Sequence, residues 1–315
     1  MEQSAIHQKN VITQLGLILA WVGLLAYSLM AGGCTSNASD ESQQQHIKKV
    51  EKTTVTPLRI VSLNGTITEV LCVLGYEQNI VGVDVTSTYP SAINKLPKVG
   101  HTRNMQAEGI ISLKPSLILG KTEELKPELI QQLKATKIDL ELFKIDYSVQ
   151  GAKQLIKDIA QKLPPTNGAT VEALTKQIDE PLTKLEKLPN TPKVLFIYAR
   201  GAGTLMVAGK NTPVQKIIEM AGGQNAINDF DNFKPLTAEA LVKANPEVIL
   251  MFESGLKSLD EGNGLLKIPG VVNTNAGRNK AFVAMDGQFL TGFSPRLGQA
   301  VYTLNKKLKA TLATQ

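Results

Sequence analysis

Ala107–Leu119 reads AEGIISLKPSLIL, and 131 residues further on Ala238–Leu250 reads AEALVKANPEVIL. The two stretches align without a gap. Alanine, glutamate, proline, isoleucine and leucine recur in register (Ala107/Ala238, Glu108/Glu239, Pro115/Pro246, Ile118/Ile249, Leu119/Leu250). Each copy predicts a short amphipathic helix, a proline that ends it and then an apolar strand. One repeat at that separation suggests two similar lobes rather than a many-unit solenoid, and facing lobes leave a cleft for a ligand. The competing reading is coincidence, since helix, proline and strand succeed one another in many α/β chains.

Length agrees with duplication: 315 residues divide into two domains of about 130 to 150 residues, each able to bury a core. Composition is that of a soluble globular protein, with 43% apolar and 20% charged residues. The net charge of +6 is spread along the chain without a Lys/Arg block. That pattern argues against nucleic acid and suits an anionic ligand. There are two cysteines, Cys34 and Cys72. Cys72 lies in EVLCVLG, an apolar helical context, and reads as a packed thiol; a Cys34–Cys72 disulfide is the alternative.

Residues 11–30, VITQLGLILAWVGLLAYSLM, form an uncharged apolar run behind a polar start that contains Lys9. Ala31-Gly32-Gly33-Cys34 comes next. These are the parts of an export signal, here residues 1–33. A cysteine after small residues resembles the lipobox of bacterial lipoproteins, in which the peptide is cut before Cys34 and the cysteine is acylated. Ala31 departs from the leucine usual at its place. The run is also long enough to span a bilayer, so an uncleaved anchor is the second reading. Either way the rest of the chain is expected outside the cytoplasm, tethered to a membrane. Residues 34–57 are polar and aromatic-free and read as a flexible stalk.

The first lobe is expected over residues 58–165. Leu58–Leu63 is an apolar strand, Asn64-Gly65-Thr66 turns into a helix with Thr66 or Thr68 as cap and Glu69 in its first turn, and Gly75 ends that helix. Ile80–Asp84 is a second strand. Further strand, helix and strand patterns over Ser116–Leu119, Glu123–Ala135 and Leu140–Ile145 favour a mostly parallel open sheet with ligand loops at the carboxyl ends of its strands. Tyr89, His101 and Arg103 fall on such loops. A stripe of Val171, Leu174, Ile178, Leu182 and Leu185 predicts a connecting helix within 166–190, bent or weakened by Pro181. The second lobe, 191–315, opens with the strand KVLFIY (Lys193–Tyr198). Its Gly201-Ala202-Gly203 has no third glycine in place and no acidic partner, so no nucleotide site is expected.

Two α/β lobes, a bridging helix and the recurring AE…P…IL element resemble the solute receptors of ABC importers for vitamin B12, siderophores and haem. The segments Thr86–Pro90 (TSTYP), Val99–Arg103 (VGHTR), Val207–Thr212 (VAGKNT), Lys234-Pro235-Leu236 and Gly292–Arg296 (GFSPR) most resemble the hemin-binding members. The resemblance spans roughly residues 58 to 310. It implies two Rossmann-like lobes joined by a single long helix, the class III periplasmic binding protein fold. It also implies a haem-capturing, membrane-anchored lipoprotein, monomeric and not an enzyme, that delivers haem to an ABC permease and its ATPase subunits.

By the same resemblance Tyr89 is the axial ligand of haem iron, and a phenolate is a hard anionic donor suited to ferric iron. His101 is the one histidine outside signal and stalk, and is either a second iron ligand, a cleft-wall contact or a surface residue. One histidine tells against a zinc or manganese receptor. Haem propionates call for cations, and Arg103, Arg200 and Arg296 lie in cleft loops where guanidinium forks meet carboxylates, with Lys210 and Lys234 as weaker candidates. Glu108 and Glu239 match the glutamates, one per lobe, that dock onto permease arginines; the plainer reading is a pair of first-turn acids favoured by the helix dipole.

Two rivals remain. One is a corrinoid or ferric-siderophore receptor of the same fold. The other is an enzyme on a two-lobe scaffold, such as a chelatase or a nitrogenase-like reductase component; the chain offers no nucleophile, paired carboxylates or phosphate loop of convincing spacing for chemistry.

Overall fold

A computed structural model describes residues 57–314, apart from Ala202, Thr204, Glu261 and Gly262. The signal, the stalk and Cys34 lie outside the described residues. The described residues lie in one compact unit.

Strand β1 (Ile60–Ser62) is central to the first sheet, with β2 (Ile80–Val83) on one side and β3 (Leu117–Lys121) then β4 (Asp139–Phe143) on the other, all parallel. The apolar runs of β1 and β3 are buried on both faces, as an all-parallel sheet covered by helices requires. Helix α1 (Gly65–Val73) leaves β1 through Asn64, whose side chain accepts from the Thr66 and Ile67 amides. The cap is therefore Asn64, not Thr66 or Thr68. Gly75 ends this segment at φ +90°, which a side chain would strain.

In the second sheet, strands β5 (Lys193–Ala199), β9 (Val248–Phe252) and β10 (Phe282–Met285) run parallel, but β6 (Leu205–Ala208) and β8 (Phe233–Pro235) are antiparallel. Their order is β10-β9-β5-β6-β8. The sheet is mixed because the connection between β5 and β6 is too short to carry a crossover, so β6 pairs antiparallel with β5. The two-residue β7 (Gln224–Asn225) also pairs with β5.

The repeat is structural as well as sequential. Helix α2 (Ala107–Ile111) precedes β3, and helix α6 (Ala238–Ala244) precedes β9. Ile110 and Leu241 are both fully buried. Lys114 and Asn245, each the residue before the shared proline, both take positive φ (49° and 39°). A chance likeness of sequence would not carry the same left-handed turn.

Helix α3 (Pro127–Lys134) is shorter than the expected Glu123–Ala135, because Pro127 fits the first helical turn and the preceding residues turn without joining it. Helix α4 (Val149–Gln161) then packs against the connecting helix α5 (Val171–Leu182). Helix α5 stops one residue after Pro181 rather than running on to Leu188. It rests on the terminal helix α8 (Leu297–Ala313) so closely that a Cβ at Gly298 would meet the Ile178 carbonyl at 1.9 Å. Buried Asn305 closes the same joint, donating to the carbonyls of Glu186 and Ala221 and accepting from the Glu186 amide. One cluster of buried side chains runs from Ile60 and Val83 through Leu174 and Ile178 to Phe196 and Val248. The lobes thus share a core through the connecting helix. Cys72 is half-buried against that core, and burial pushes its thiol up to about 12, so it is a packing group and not a nucleophile.

Candidate functional site

A cavity of about 820 Å³ opens between the sheets. It is built from strand ends: Asn64–Thr66 after β1, Thr86 and Thr88 after β2, Lys121–Glu124 around the end of β3, and Ile145 and Tyr147 after β4. The second lobe adds Phe252 and Ser254 after β9, and Asp286–Gln288 after β10. This is the position at which open α/β sheets bind ligands, and the volume falls within the roughly 300–1,000 Å³ typical of small-molecule sites.

The loop that carries Tyr89 is held from four directions. Buried Asp84 accepts from the Thr86 amide at 2.9 Å, from the Thr86 hydroxyl, and from Ser87 Oγ at 2.5 Å. Ser87 Oγ also meets Thr68 Oγ1 on α1 at 2.8 Å, and Lys98 Nζ donates to the Ser87 carbonyl at 2.7 Å. The fourth hold comes from the other lobe. Gln288 Oε1, on helix α7 (Gly287–Thr291), accepts from Thr88 N (2.8 Å), Thr88 Oγ1 (2.8 Å) and Tyr89 N (3.2 Å). Its amide nitrogen donates to the Gly65 carbonyl at 2.9 Å. A glutamine side chain thus satisfies backbone groups of two first-lobe turns, a role no local motif announces; its place just past a strand end is the only signal. The Tyr89 side chain is 42% exposed, and its hydroxyl has no hydrogen-bond partner among the described residues.

Replacing Gln288 by alanine should free the Thr88 and Tyr89 amides. Each lost hydrogen bond of about 1 kcal/mol corresponds to roughly fivefold to tenfold faster exchange. Hydrogen–deuterium exchange of the 86–90 segment reads this directly, and unchanged protection would show that Asp84 and Lys98 hold the loop unaided.

Arg296 is engaged within the protein. Its guanidinium is not a free cation in the cleft. Nε and Nη2 fork onto Glu69 at 2.9 and 2.7 Å, and Ser294 Oγ donates to the same carboxylate at 2.6 Å. Glu69 is fully buried, so it is an interlobe anchor rather than an exposed first-turn acid. The Arg296 guanidinium carbon lies 3.5 Å from the Tyr89 ring centre and 5.0 Å from that of Phe289. The guanidinium expected to meet a propionate thus also packs on the tyrosine ring. The Arg200 guanidinium carbon lies 6.0 Å from the Tyr198 ring centre, and neither Arg200 nor Tyr89 is among the residues that line the cavity.

His101 and Arg103 do line the cavity. The Arg103 amide donates to His101 Nδ1 at 3.3 Å. His101 Nε2 has no hydrogen-bond partner among the described residues and is left to meet a ligand. Lys121, for which no local motif suggests a role, is buried at the cavity edge with Glu124 at 3.1 Å and Tyr147 Oη at 2.7 Å. Burial works against its charge, but Glu124 and Tyr147 outweigh it and hold the ammonium above the ordinary lysine range. Lys210 pairs loosely with Asp231, and Lys234 lies over the Phe230 ring. Glu108 and Glu239 are exposed, with no ion pair among the described residues.

A family model described as periplasmic binding protein matches residues 60–289. The chain belongs to that family. This periplasmic binding protein is 38% identical to a solved periplasmic haem-binding protein, RhuT from Roseiflexus sp. RS-1 in apo form, over 82% of this chain and 100% of that one, with a TM-score of 0.77. It is 27% identical to an uncharacterised ABC transporter substrate-binding lipoprotein, YvrC of Bacillus subtilis (strain 168), over 91% of this chain and 96% of the relative. It is 26% identical to a vitamin B12-binding protein of Vibrio vulnificus (strain CMCP6), over 76% of this chain and 85% of the relative. Among the described residues of this periplasmic binding protein, no helix is long and apolar enough to cross a membrane, and no group of three or more His, Cys, Asp or Glu could hold a metal ion.

Proposed function

We propose that this periplasmic binding protein captures ferric haem in the interlobe cavity and hands it to an ABC permease for import. The observation that carries the reading is Tyr89. An exposed phenol, held in place by both lobes and backed by the Arg296 guanidinium, offers iron a free hard oxygen donor. The adjacent cation offsets the negative charge that oxygen carries when it binds ferric iron. Ile145, Phe252 and Tyr147 supply apolar surface for a flat macrocycle. Arg103 and His101 Nε2 are the donors for its acid tails. Cys34 is the proposed lipid anchor, and residues 1–33 the signal that precedes it.

Glu108 and Glu239 are the proposed permease contacts, one per lobe, held apart by α5 and the shared core. The second cargo is a corrinoid, which the vitamin B12-binding relative favours. The test is a competition: residues 55–315 are titrated with hemin in the presence of cobalamin or a ferric siderophore. Hemin should bind with a high-spin tyrosinate spectrum that neither competitor displaces. Displacement by cobalamin, or a protein that ignores hemin, would assign the cavity to another cargo.

A further inference from the structure

Among the described residues six large apolar side chains are exposed, and three of them sit on or against the two repeat helices. Ile111 (37% exposed) lies on α2 three residues after Glu108, and Val242 (43%) lies on α6 three residues after Glu239. The two occupy the same place in the repeat, as do their neighbours Ile110 and Leu241, which are fully buried. Each helix therefore commits one aliphatic side chain to its own core and turns the next one to solvent. Residues three apart are neighbours on a helix surface, so each exposed aliphatic stands beside its unpaired carboxylate. Gly109 follows the glutamate in one copy and Ala240 in the other; a Cβ at Gly109 would touch nothing within 4 Å. The second copy is extended by Val272 (51% exposed), on a turn whose Gly270 runs close to Ala238 and Val242.

We infer that Ile111 and Val242 are the apolar half of a two-part docking contact whose charged half is Glu108 and Glu239, and that the occupant is the membrane permease of the importer. The inference rests on the docking reading of the two glutamates and adds the part played by their aliphatic neighbours. An exposed ion pair alone contributes about 0–1 kcal/mol, too little to hold a receptor to its transporter. An aliphatic side chain buried beside the pair adds apolar contact and lowers the local dielectric around the charges. Two like faces call for a partner with two like sockets, each a cation next to an apolar recess.

The experiment measures the receptor concentration that half-maximally stimulates ATP hydrolysis by the permease–ATPase complex in lipid vesicles. Haem-loaded wild type is compared with I111S/V242S, with I111L/V242L and with E108A/E239A. Both aliphatics are exposed, so the serine pair should keep its fold and its hemin titration. Its half-maximal concentration should rise by roughly tenfold or more, the equivalent of losing part of two buried side chains, and the leucine pair should restore it. If the serine pair matches wild type while the glutamate pair fails, docking is by charge alone and the inference falls while the docking reading stands. If the glutamate pair also matches wild type, the docking surface lies elsewhere and both fall.

Discussion

Tyr89→Phe is expected to abolish the tyrosinate spectrum and to weaken hemin binding by at least about 100-fold. The lower bound comes from metal sites in which removing even a partner of a ligand costs roughly 10–100-fold, so loss of the ligand itself costs more. Phenylalanine keeps the ring, and with it the contact to the Arg296 guanidinium at 3.5 Å, so the loop keeps its shape and the change isolates one oxygen. Ultraviolet–visible titration and a hemin off-rate by transfer to apomyoglobin read the result. A Tyr89→Phe protein with the wild-type spectrum would move the iron ligand elsewhere, with Tyr147, a phenol that lines the cavity, the first candidate.

Glu69→Gln is expected to be the most destabilising of the conservative changes around the site. It leaves the Arg296 fork facing a neutral amide inside a contact where Glu69 is fully buried and Arg296 largely so. Breaking one partner of such a pair costs about 3–5 kcal/mol. For a domain of this size that is a fall in Tm on the order of 10 °C. Calorimetry on the ligand-free protein measures it. Because the pair joins residues 227 apart in sequence, the loss should appear as reduced interlobe cooperativity and not as the melting of one helix. The double variant Glu69→Gln/Arg296→Gln should recover part of the stability, since two neutral amides strand no charge. A Glu69→Gln protein as stable as wild type would mean that water satisfies the guanidinium and that the anchor is dispensable.

Much of the fold is legible in the sequence because it rests on local signals. The repeat, the glycine at the exit of α1 and the proline before β3 and β9 each act within a few residues, and the structure places helix and strand where they point. The difference at the first cap has the same root: Asn64, Thr66 and Thr68 are all capable oxygens, and only the backbone geometry chooses Asn64. The site is legible to the extent that loops at strand ends must line it, which holds for His101 and Arg103. The hidden part is long-range. Nothing near Arg296 marks Glu69 as its partner, nothing near Gln288 marks the Tyr89 loop, and a lysine in an apolar strand gives no hint that it is buried beside a tyrosine hydroxyl. The hairpin after β5 escapes notice because the edge of that sheet is set by the length of one short turn.

Gln288 grips the tyrosine loop from across the cleft, and this ties holding the cargo to the posture of the whole molecule. Any displacement of one half against the other would free the Thr88 and Tyr89 amides in the same stroke.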